Sequence, residues 1–138
     1  MQAMTHGFNP DYHDDAPTLD TVRALRGPLL LEFGAPWCGH CQAAGDAIET
    51  AMAAWPTLPH IKVHDGKGKP LGRAFAVKLW PTLIVLNDGD ELARCVRPTS
   101  ADQLATLLQH ITAATDDSAD GASPVCYSKD FPDYNGLP

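Results

Sequence analysis

Residues 29–41, LLLEFGAPWCGHC, contain the features that decide the fold of this chain. Residues 29–33 form a short apolar run behind a Gly-Pro pair, which is typical of a β-strand buried on both faces. Residues 35–37 then turn the chain, and from Cys41 onward apolar residues recur at helical spacing. The stretch predicts a strand, a turn and a helix, with Cys38 and Cys41 at the start of the helix.

The position of Cys38 at a helix start favours thiolate chemistry. Unpaired backbone N–H groups and the positive end of the helix dipole stabilise a thiolate there, and the thiolate is the nucleophile of thiol–disulfide exchange. We predict that Cys38 is the exposed attacking thiol, that Cys41 is the shielded resolving thiol, and that a protonated His40 adds positive charge beside them. The alternatives are a structural disulfide or half of a zinc site, although zinc takes four ligands and no second Cys-x-x-Cys exists.

The motif Trp37-Cys-Gly-His-Cys41, placed after a strand, resembles the active site of the thioredoxin superfamily in the form typical of protein disulfide isomerase domains. Thioredoxins proper usually carry proline at the position of His40. The resemblance spans roughly residues 18–112 and implies an α/β thioredoxin fold, in which helices flank both faces of a central mixed β-sheet. It also implies a redox-active Cys38–Cys41 disulfide that needs no metal or organic cofactor.

The resemblance assigns a further role to Glu32, which matches the family's buried acid and would move a proton to or from the resolving cysteine. Lys62 is a candidate for the family's lysine near that acid. A surface acid at a strand end is the alternative for Glu32. Because a buried carboxylate carries a desolvation cost, the sequence alone predicts that Glu32→Ala stabilises the fold.

A substrate groove is implied by the match of Trp80-Pro81 to the family's cis-proline, where a substrate pairs as an extended strand. A trans bond is the alternative, since cis is a minority of X–Pro bonds. Trp80 is bulkier than the usual Ile or Val, so it would contact substrate or partly cover the attacking cysteine. Trp37 and Gly39 flank the groove. Arg97 replaces a usual glycine and would narrow the groove or select acidic partners, unless it is a solvated strand-end residue.

The remaining patterns divide the chain into a flexible N-terminal arm at 1–17, a thioredoxin-like domain at 18–114 and a disordered acidic tail at 115–138. Residues 5–8 are the candidate for a first edge strand, which we expect to be short or absent. Further elements are expected at 18–26, 38–55, 61–64, 71–75, 82–86, 92–96 and from a capping box at 100–103. His60 and His64 are interpreted as surface residues and Cys95 as a small, free core residue.

Composition narrows the class of protein. The chain has 138 residues, 44% of them hydrophobic and 20% charged, which is ordinary for one globular domain. Its formal net charge of −7 argues against nucleic acid and anionic membranes as partners. The N-terminus lacks the basic start and apolar core of a secretory signal, so we expect a cytoplasmic protein. We also expect the protein to be a monomer. The alternative is a periplasmic protein whose signal has been removed.

These observations favour a disulfide reductase that acts on protein substrates and is reduced in turn by a thioredoxin-reductase-like or membrane redox partner. Two alternatives stay open: a disulfide isomerase or oxidase in an exported compartment, and a thioredoxin-like adaptor without turnover. Cys126 has two interpretations as well. It is either a tethered pseudo-substrate that forms a disulfide with Cys38 or an incidental thiol of the tail.

Overall fold

A computed structural model describes residues 4–115, with side chains up to residue 112. The predictions for the acidic tail and for Cys126 lie outside these residues. The elements follow one another as β1 (Met4–His6), α1 (Leu19–Ala24), β2 (Pro28–Gly34), α2 (Gly39–Met52), β3 (Pro59–His64), α3 (Pro70–Ala74), β4 (Thr82–Asn87), β5 (Asp90–Val96) and α4 (Ala101–Thr115). None of the described helices is long and apolar enough to cross a membrane.

The strands form one five-stranded mixed sheet in the order β1-β3-β2-β4-β5. Strand β2 lies at its centre, parallel to β3 and antiparallel to β4. Its side chains enter the core on both faces of the sheet, which explains its apolar residues. Strands β4 and β5 form a hairpin whose turn places Asp88 at φ 53° and Gly89 at φ 86°. Two successive left-handed residues are what a tight hairpin turn requires, and glycine adopts this conformation without strain.

Helices cover both faces of the sheet, and the predicted fold class is confirmed. One face packs against α2 and α4, through a core that includes Leu30, Ile48, Leu83 and Leu107. The opposite face packs against α1 and α3, through a core that includes Phe33, Ile61, Leu71 and Ile84. Alternate residues of a strand point to the same face, so Glu32 lies on the face of Leu30, which is the face that packs against α2 and α4.

Side-chain caps fix where the helices begin. The Thr18 side chain accepts a hydrogen bond from the Thr21 backbone N–H at the start of α1. Ser100 and Gln103 form the predicted capping box, since each side chain bonds the backbone N–H of the other. Helix α1 ends at Ala24 rather than at residue 26, because Leu25 is extended. Helix α2 ends at Met52, before the predicted end at residue 55.

The residues before α1 pack along the edge of β3. Strand β1 pairs antiparallel with β3, so the expected edge strand is present and short. Further on, the chain returns to β3, where His13 N–H donates to Lys62 O and His64 N–H donates to His13 O. Asn9 is buried between these two contacts. The division of the chain into arm, domain and tail stays a prediction, but residues 4–17 contact the domain through specific backbone hydrogen bonds.

Candidate active site

The two cysteines of the motif are free thiols at the first turn of α2. Cys38 is the N-cap residue of the helix, and its Sγ accepts a hydrogen bond from the Cys41 backbone N–H at 3.3 Å. This is the helix-start geometry that favours a thiolate. The expectation of an exposed Cys38 was wrong, because Cys38 is only 8% exposed and Cys41 4%. Ala35 and Trp80 pack around the pair and account for this burial.

Cys41 is surrounded by groups that hold it as a thiol. Burial raises the pKa of Cys41 to about 12, and the hydrogen bond to Cys38 adds to the rise. Gly34 closes one side of the cysteine, because a Cβ built there would lie 2.7 Å from the Cys41 sulfur and 2.5 Å from the Tyr12 hydroxyl. A thiol in this environment stays protonated at neutral pH, so its attack on a mixed disulfide requires a base.

Glu32 is fully buried, which rules out the surface-acid alternative. Its Oε2 accepts a hydrogen bond from the Tyr12 hydroxyl at 2.5 Å, and its Oε1 lies 2.9 Å from Nε2 of His60. Burial by itself raises the pKa of the Glu32 carboxyl, but the hydrogen bond from His60, the charge of Lys62 and the hydrogen bond from Tyr12 outweigh it and lower the net pKa. The carboxylate is therefore ionised at neutral pH.

His60 was interpreted as a surface residue, and this was wrong, because its side chain is fully buried beside Glu32. The Asn9 backbone N–H donates to His60 Nδ1 at 3.0 Å. Because Nδ1 accepts a hydrogen bond, the ring proton resides on Nε2 and is donated to Glu32. His60 thus donates a hydrogen bond that fixes one oxygen of the carboxylate. His64 is partly exposed and pairs with Asp14 at 2.8 Å.

Lys62 lies opposite Glu32 in the parallel register of β2 and β3, as the sequence suggested. Its Nζ donates to Pro10 O at 3.0 Å and stands 4.4 Å from the centre of the Tyr12 ring. A cation over an aromatic face is stabilised by the ring quadrupole. Lys62 therefore supplies positive charge near Glu32 and also holds the Tyr12 ring in place.

The predicted groove residues converge on the cysteine pair. The Trp80–Pro81 peptide bond is cis, as the resemblance implied. The Trp80 indole packs against the cysteines and donates to the buried Asp65 carboxylate at 2.9 Å. Trp37 is 68% exposed, and its ring contacts Trp80 edge-on at 5.4 Å. Trp80 was expected either to contact substrate or to cover the attacking cysteine in part. In the structure its side chain partly covers the cysteines.

Arg97 is held against the same turn. It adopts a left-handed φ of 52°, and its Nε donates to the Trp80 carbonyl at 2.8 Å. The Arg97 backbone N–H also donates to Pro81 O. The solvated strand-end interpretation of Arg97 therefore does not hold, and its side chain lies on the backbone that precedes Pro81. Gly39 and His40 are exposed at the start of α2. The roles assigned to all these residues stay predictions.

Cys95 lies on β5 and is fully buried in the core beneath α2 and α4. It is disulfide-bonded, so the expectation of a free core thiol was wrong, although its burial agrees with the prediction. It belongs to a different cluster from Cys38 and Cys41.

Sequence reasoning missed Tyr12, Asp65 and the part played by His60. One signal for His60 was available: polar His60 and Lys62 alternate with apolar residues in a strand next to β2, so they share the face of Glu32. Tyr12 had no such signal, because its place depends on how the N-terminal residues cross β3. Asp65 also had no such signal, because only the fold brings its carboxylate to the Trp80 indole.

Comparison with known proteins gave consistent matches. The thioredoxin family model matches residues 14–110. The reduced structure of thioredoxin 2 from Pseudomonas aeruginosa PAO1 is similar with a TM-score of 0.68 and 47% identity, and the match covers 75% of this chain and 95% of that chain. A thioredoxin of Chlamydia trachomatis serovar D is 32% identical over 82 residues, which are 59% of this chain and 80% of that protein.

Protein disulfide-isomerases are matched over a smaller share of their length. Protein disulfide-isomerase A3 of Gallus gallus is 32% identical over 84 residues, which are 60% of this chain but 17% of that protein. The protein disulfide-isomerase of Zea mays is 26% identical over 102 residues, with 20% of that protein covered. The chain thus spans about a fifth of these larger relatives and most of the thioredoxins.

Proposed function

Because the chain belongs to the thioredoxin family and is a thiol–disulfide oxidoreductase of that family, we propose that it works as a disulfide reductase on protein substrates. The observation that carries this proposal is the unequal pair of free thiols at the first turn of α2. Cys38 receives an N–H at the helix start, whereas burial keeps Cys41 protonated. One thiol is thus suited to attack and the other to resolve.

The reaction divides between the two cysteines. Cys38 attacks a substrate disulfide, forms a mixed disulfide and releases the first substrate thiol. Cys41 then attacks Cys38, forms the intramolecular disulfide and releases the second substrate thiol. Thioredoxin-family proteins use this redox-active disulfide rather than a cofactor. A reductase partner, of the thioredoxin-reductase or membrane type, returns the pair to two thiols.

The groove supports a substrate in extended conformation. Trp37 offers an exposed aromatic face beside the cysteines, and Trp80, whose ring it contacts, forms the adjoining wall together with Pro81. We infer that Gly39 leaves space at the helix start and that Arg97 narrows the groove at the Trp80 carbonyl. His40, exposed between the two cysteines, would stabilise the Cys38 thiolate. We place the protein in the cytoplasm, where thiols are kept reduced.

A second candidate is an isomerase or oxidase in an exported compartment. The disulfide at Cys95 favours it, because structural disulfides persist mainly in oxidising compartments. The protein disulfide-isomerase type of motif, with His40 between the cysteines, points the same way.

Two measurements test the proposal. Reduction of insulin disulfides by the wild type, lost in Cys38→Ser, is expected of a reductase; the same residual rate in both proteins would leave only a non-catalytic adaptor. The reduction potential of the Cys38–Cys41 couple then separates the two candidates. A value near that of thioredoxin, about −270 mV, supports the reductase, and a value near that of protein disulfide isomerase, about −180 mV, supports the second candidate.

A further inference from the structure

A buried chain of hydrogen bonds begins at the Glu32 carboxylate and reaches the N-terminal residues. His60 occupies Oε1 of the carboxylate, and the Asn9 backbone fixes the His60 ring. Oε2 is left for the Tyr12 hydroxyl, which donates to it at 2.5 Å. Among the described side chains, no buried polar atom lacks a hydrogen-bond partner. The carboxylate thus has a fixed orientation, with one oxygen aimed at Tyr12.

The Tyr12 hydroxyl also contacts the resolving cysteine. A Cβ built on Gly34 would lie 2.5 Å from the Tyr12 hydroxyl and 2.7 Å from the Cys41 sulfur, so the two groups lie side by side against the Gly34 backbone. Tyr12 also packs against the cysteine pair, and each of Tyr12 and Cys41 shifts the pKa of the other. A phenol carries one proton and two acceptor lone pairs. Since its proton is donated to Glu32, its oxygen keeps lone pairs that can accept the proton of the neighbouring Cys41 thiol. Tyr12 therefore lies between the acid and the thiol.

We propose that the Tyr12 hydroxyl relays the proton of Cys41 to Glu32 during the resolving step. This inference rests on the proposed function and adds a residue that the motif does not contain. The Cys41 thiol proton moves to the Tyr12 oxygen while the Tyr12 proton moves to Oε2 of Glu32. Tyrosine stays neutral throughout, and the carboxylate becomes a carboxylic acid.

The electron balance of the step follows from the two sulfur bonds. Cys41 sulfur forms a bond to Cys38 sulfur, and the bond between Cys38 and the substrate sulfur breaks. The substrate sulfur leaves as a thiolate that takes a proton from solvent. The cysteine pair is oxidised by two electrons and the substrate disulfide is reduced by two. The Glu32 carboxylic acid then releases this proton to solvent, because the contacts that lower its pKa favour the carboxylate.

A concerted transfer is required, because the Tyr12 phenol does not ionise in this site. Burial, together with the charge and the hydrogen bond of Glu32, raises the pKa of Tyr12 far above its usual range. A tyrosinate intermediate is thus excluded, and the two protons move together. Lys62, with its Nζ over the ring, keeps the phenol in position without offering a proton path.

A competing route exists through a cleft of about 420 Å³ that borders Tyr12, Cys41 and Lys62. Water in this cleft could take the Cys41 proton directly. The two routes make different predictions for Tyr12→Phe, which deletes the hydroxyl but keeps the ring over Lys62. If the relay operates, the mixed disulfide decays about 100-fold more slowly, the low end of what a positioned proton-transfer group contributes.

The assay mixes reduced protein with a peptide disulfide, quenches with acid and follows the Cys38–peptide adduct by mass spectrometry. The rate at which iodoacetamide alkylates Cys38 should not change, because Tyr12 acts after the first attack. Thr106→Val removes an exposed hydroxyl on α4 and is the matched control. It should leave the decay unchanged.

A double-mutant cycle adds a readout that a structural role would not give. If the groups act in series, Tyr12→Phe combined with Glu32→Gln decays no more slowly than the slower single variant, whereas independent effects multiply. The pH profile gives a second readout. The groups that face Cys41 are Cys38 and Tyr12, with Glu32, Lys62 and His60 behind them. Decay in Tyr12→Phe should rise steeply with pH, because the Cys41 thiol, whose pKa is about 12, must then ionise unaided.

Each outcome decides between the relay and its alternatives. The relay predicts that the mixed disulfide of Tyr12→Phe decays about 100-fold more slowly. A decay rate within about twofold of the wild-type rate would overturn the relay and show that water in the cleft takes the proton. If the wild type never forms a Cys38–peptide adduct, the proposed function fails and the relay falls with it. If Tyr12→Phe does not fold, the rate of mixed-disulfide decay is measured in H₂O and in D₂O instead. Slower decay of the wild type in D₂O, with no such slowing in Glu32→Gln, supports the relay. Equal decay rates of the wild type in H₂O and D₂O overturn it.

Discussion

Replacing Glu32 with alanine should destabilise the fold, which is the opposite of what the sequence alone predicts. The sequence shows a charge inside a strand and therefore a desolvation cost. The structure shows that this cost is offset by a hydrogen bond from Tyr12, a hydrogen bond from His60 and the nearby charge of Lys62. Removing the carboxylate leaves Tyr12 and His60 without their acceptor and Lys62 without a nearby negative charge.

The size of the effect follows from the donors that are left behind. An unsatisfied buried donor costs about 1–3 kcal/mol, and the variant creates two, on Tyr12 and on His60. The Tyr12 hydroxyl borders the surface cleft, so water offsets part of its loss. Breaking a buried charged pair by removal of one partner costs about 3–5 kcal/mol in general. We expect a net loss of about 2–4 kcal/mol in the free energy of unfolding.

The stability difference between the wild type and Glu32→Ala should depend on pH in a direction that can be checked. The folded-state pKa of Glu32 is lowered, so its contribution is fully present above the unfolded pKa of about 4.3 and is lost as the pH falls through the folded value. The gap in stability between the wild type and Glu32→Ala should stay constant from about pH 7 to pH 5 and shrink below about pH 4.

Urea unfolding at several pH values measures this gap. Glu49→Ala, which removes an exposed carboxylate from α2, is the matched control and should change stability by no more than about 0.5 kcal/mol. A variant that is as stable as the wild type at pH 7, or more stable, would refute the reasoning. It would mean that desolvation of the carboxylate outweighs all of its contacts.

Two further predictions concern the cysteine pair itself. His40→Pro removes the imidazole beside Cys38, which adds positive charge when it is protonated. The reduction potential should become more negative, by about 30 mV for each 1.4 kcal/mol of thiolate stabilisation lost. Equilibration with glutathione measures it, and an unchanged or more oxidising potential would show that His40 does not tune the pair. Gly34→Ala places a methyl group against the Cys41 sulfur and the Tyr12 hydroxyl. Thermal unfolding should therefore show a loss of stability of about 1–3 kcal/mol from overpacking, and insulin reduction should be slower. Gly45→Ala, where a Cβ has open space, is the control and should show neither effect.

The sequence by itself determined the central architecture and the two reacting thiols. A buried apolar run, a turn and a Cys-x-x-Cys pair at a helix start are local features, and local spacing is enough to predict β2, α2 and the roles of Cys38 and Cys41. The hairpin turn at Asp88 and Gly89 and the capping box at residues 100–103 were predictable for the same reason. Each depends on residues that are near one another in the chain.

Only the tertiary structure decided what surrounds Glu32. Tyr12, Glu32 and His60 lie on three separate segments, and the register of β2 on β3, together with the path of the N-terminal residues across β3, brings them together. No periodicity within one segment encodes such a contact. Burial then sets its chemistry, because a carboxylate, a phenol and an imidazole that are removed from water must satisfy one another. The partners of the resolving cysteine therefore follow from packing, while its identity follows from the motif.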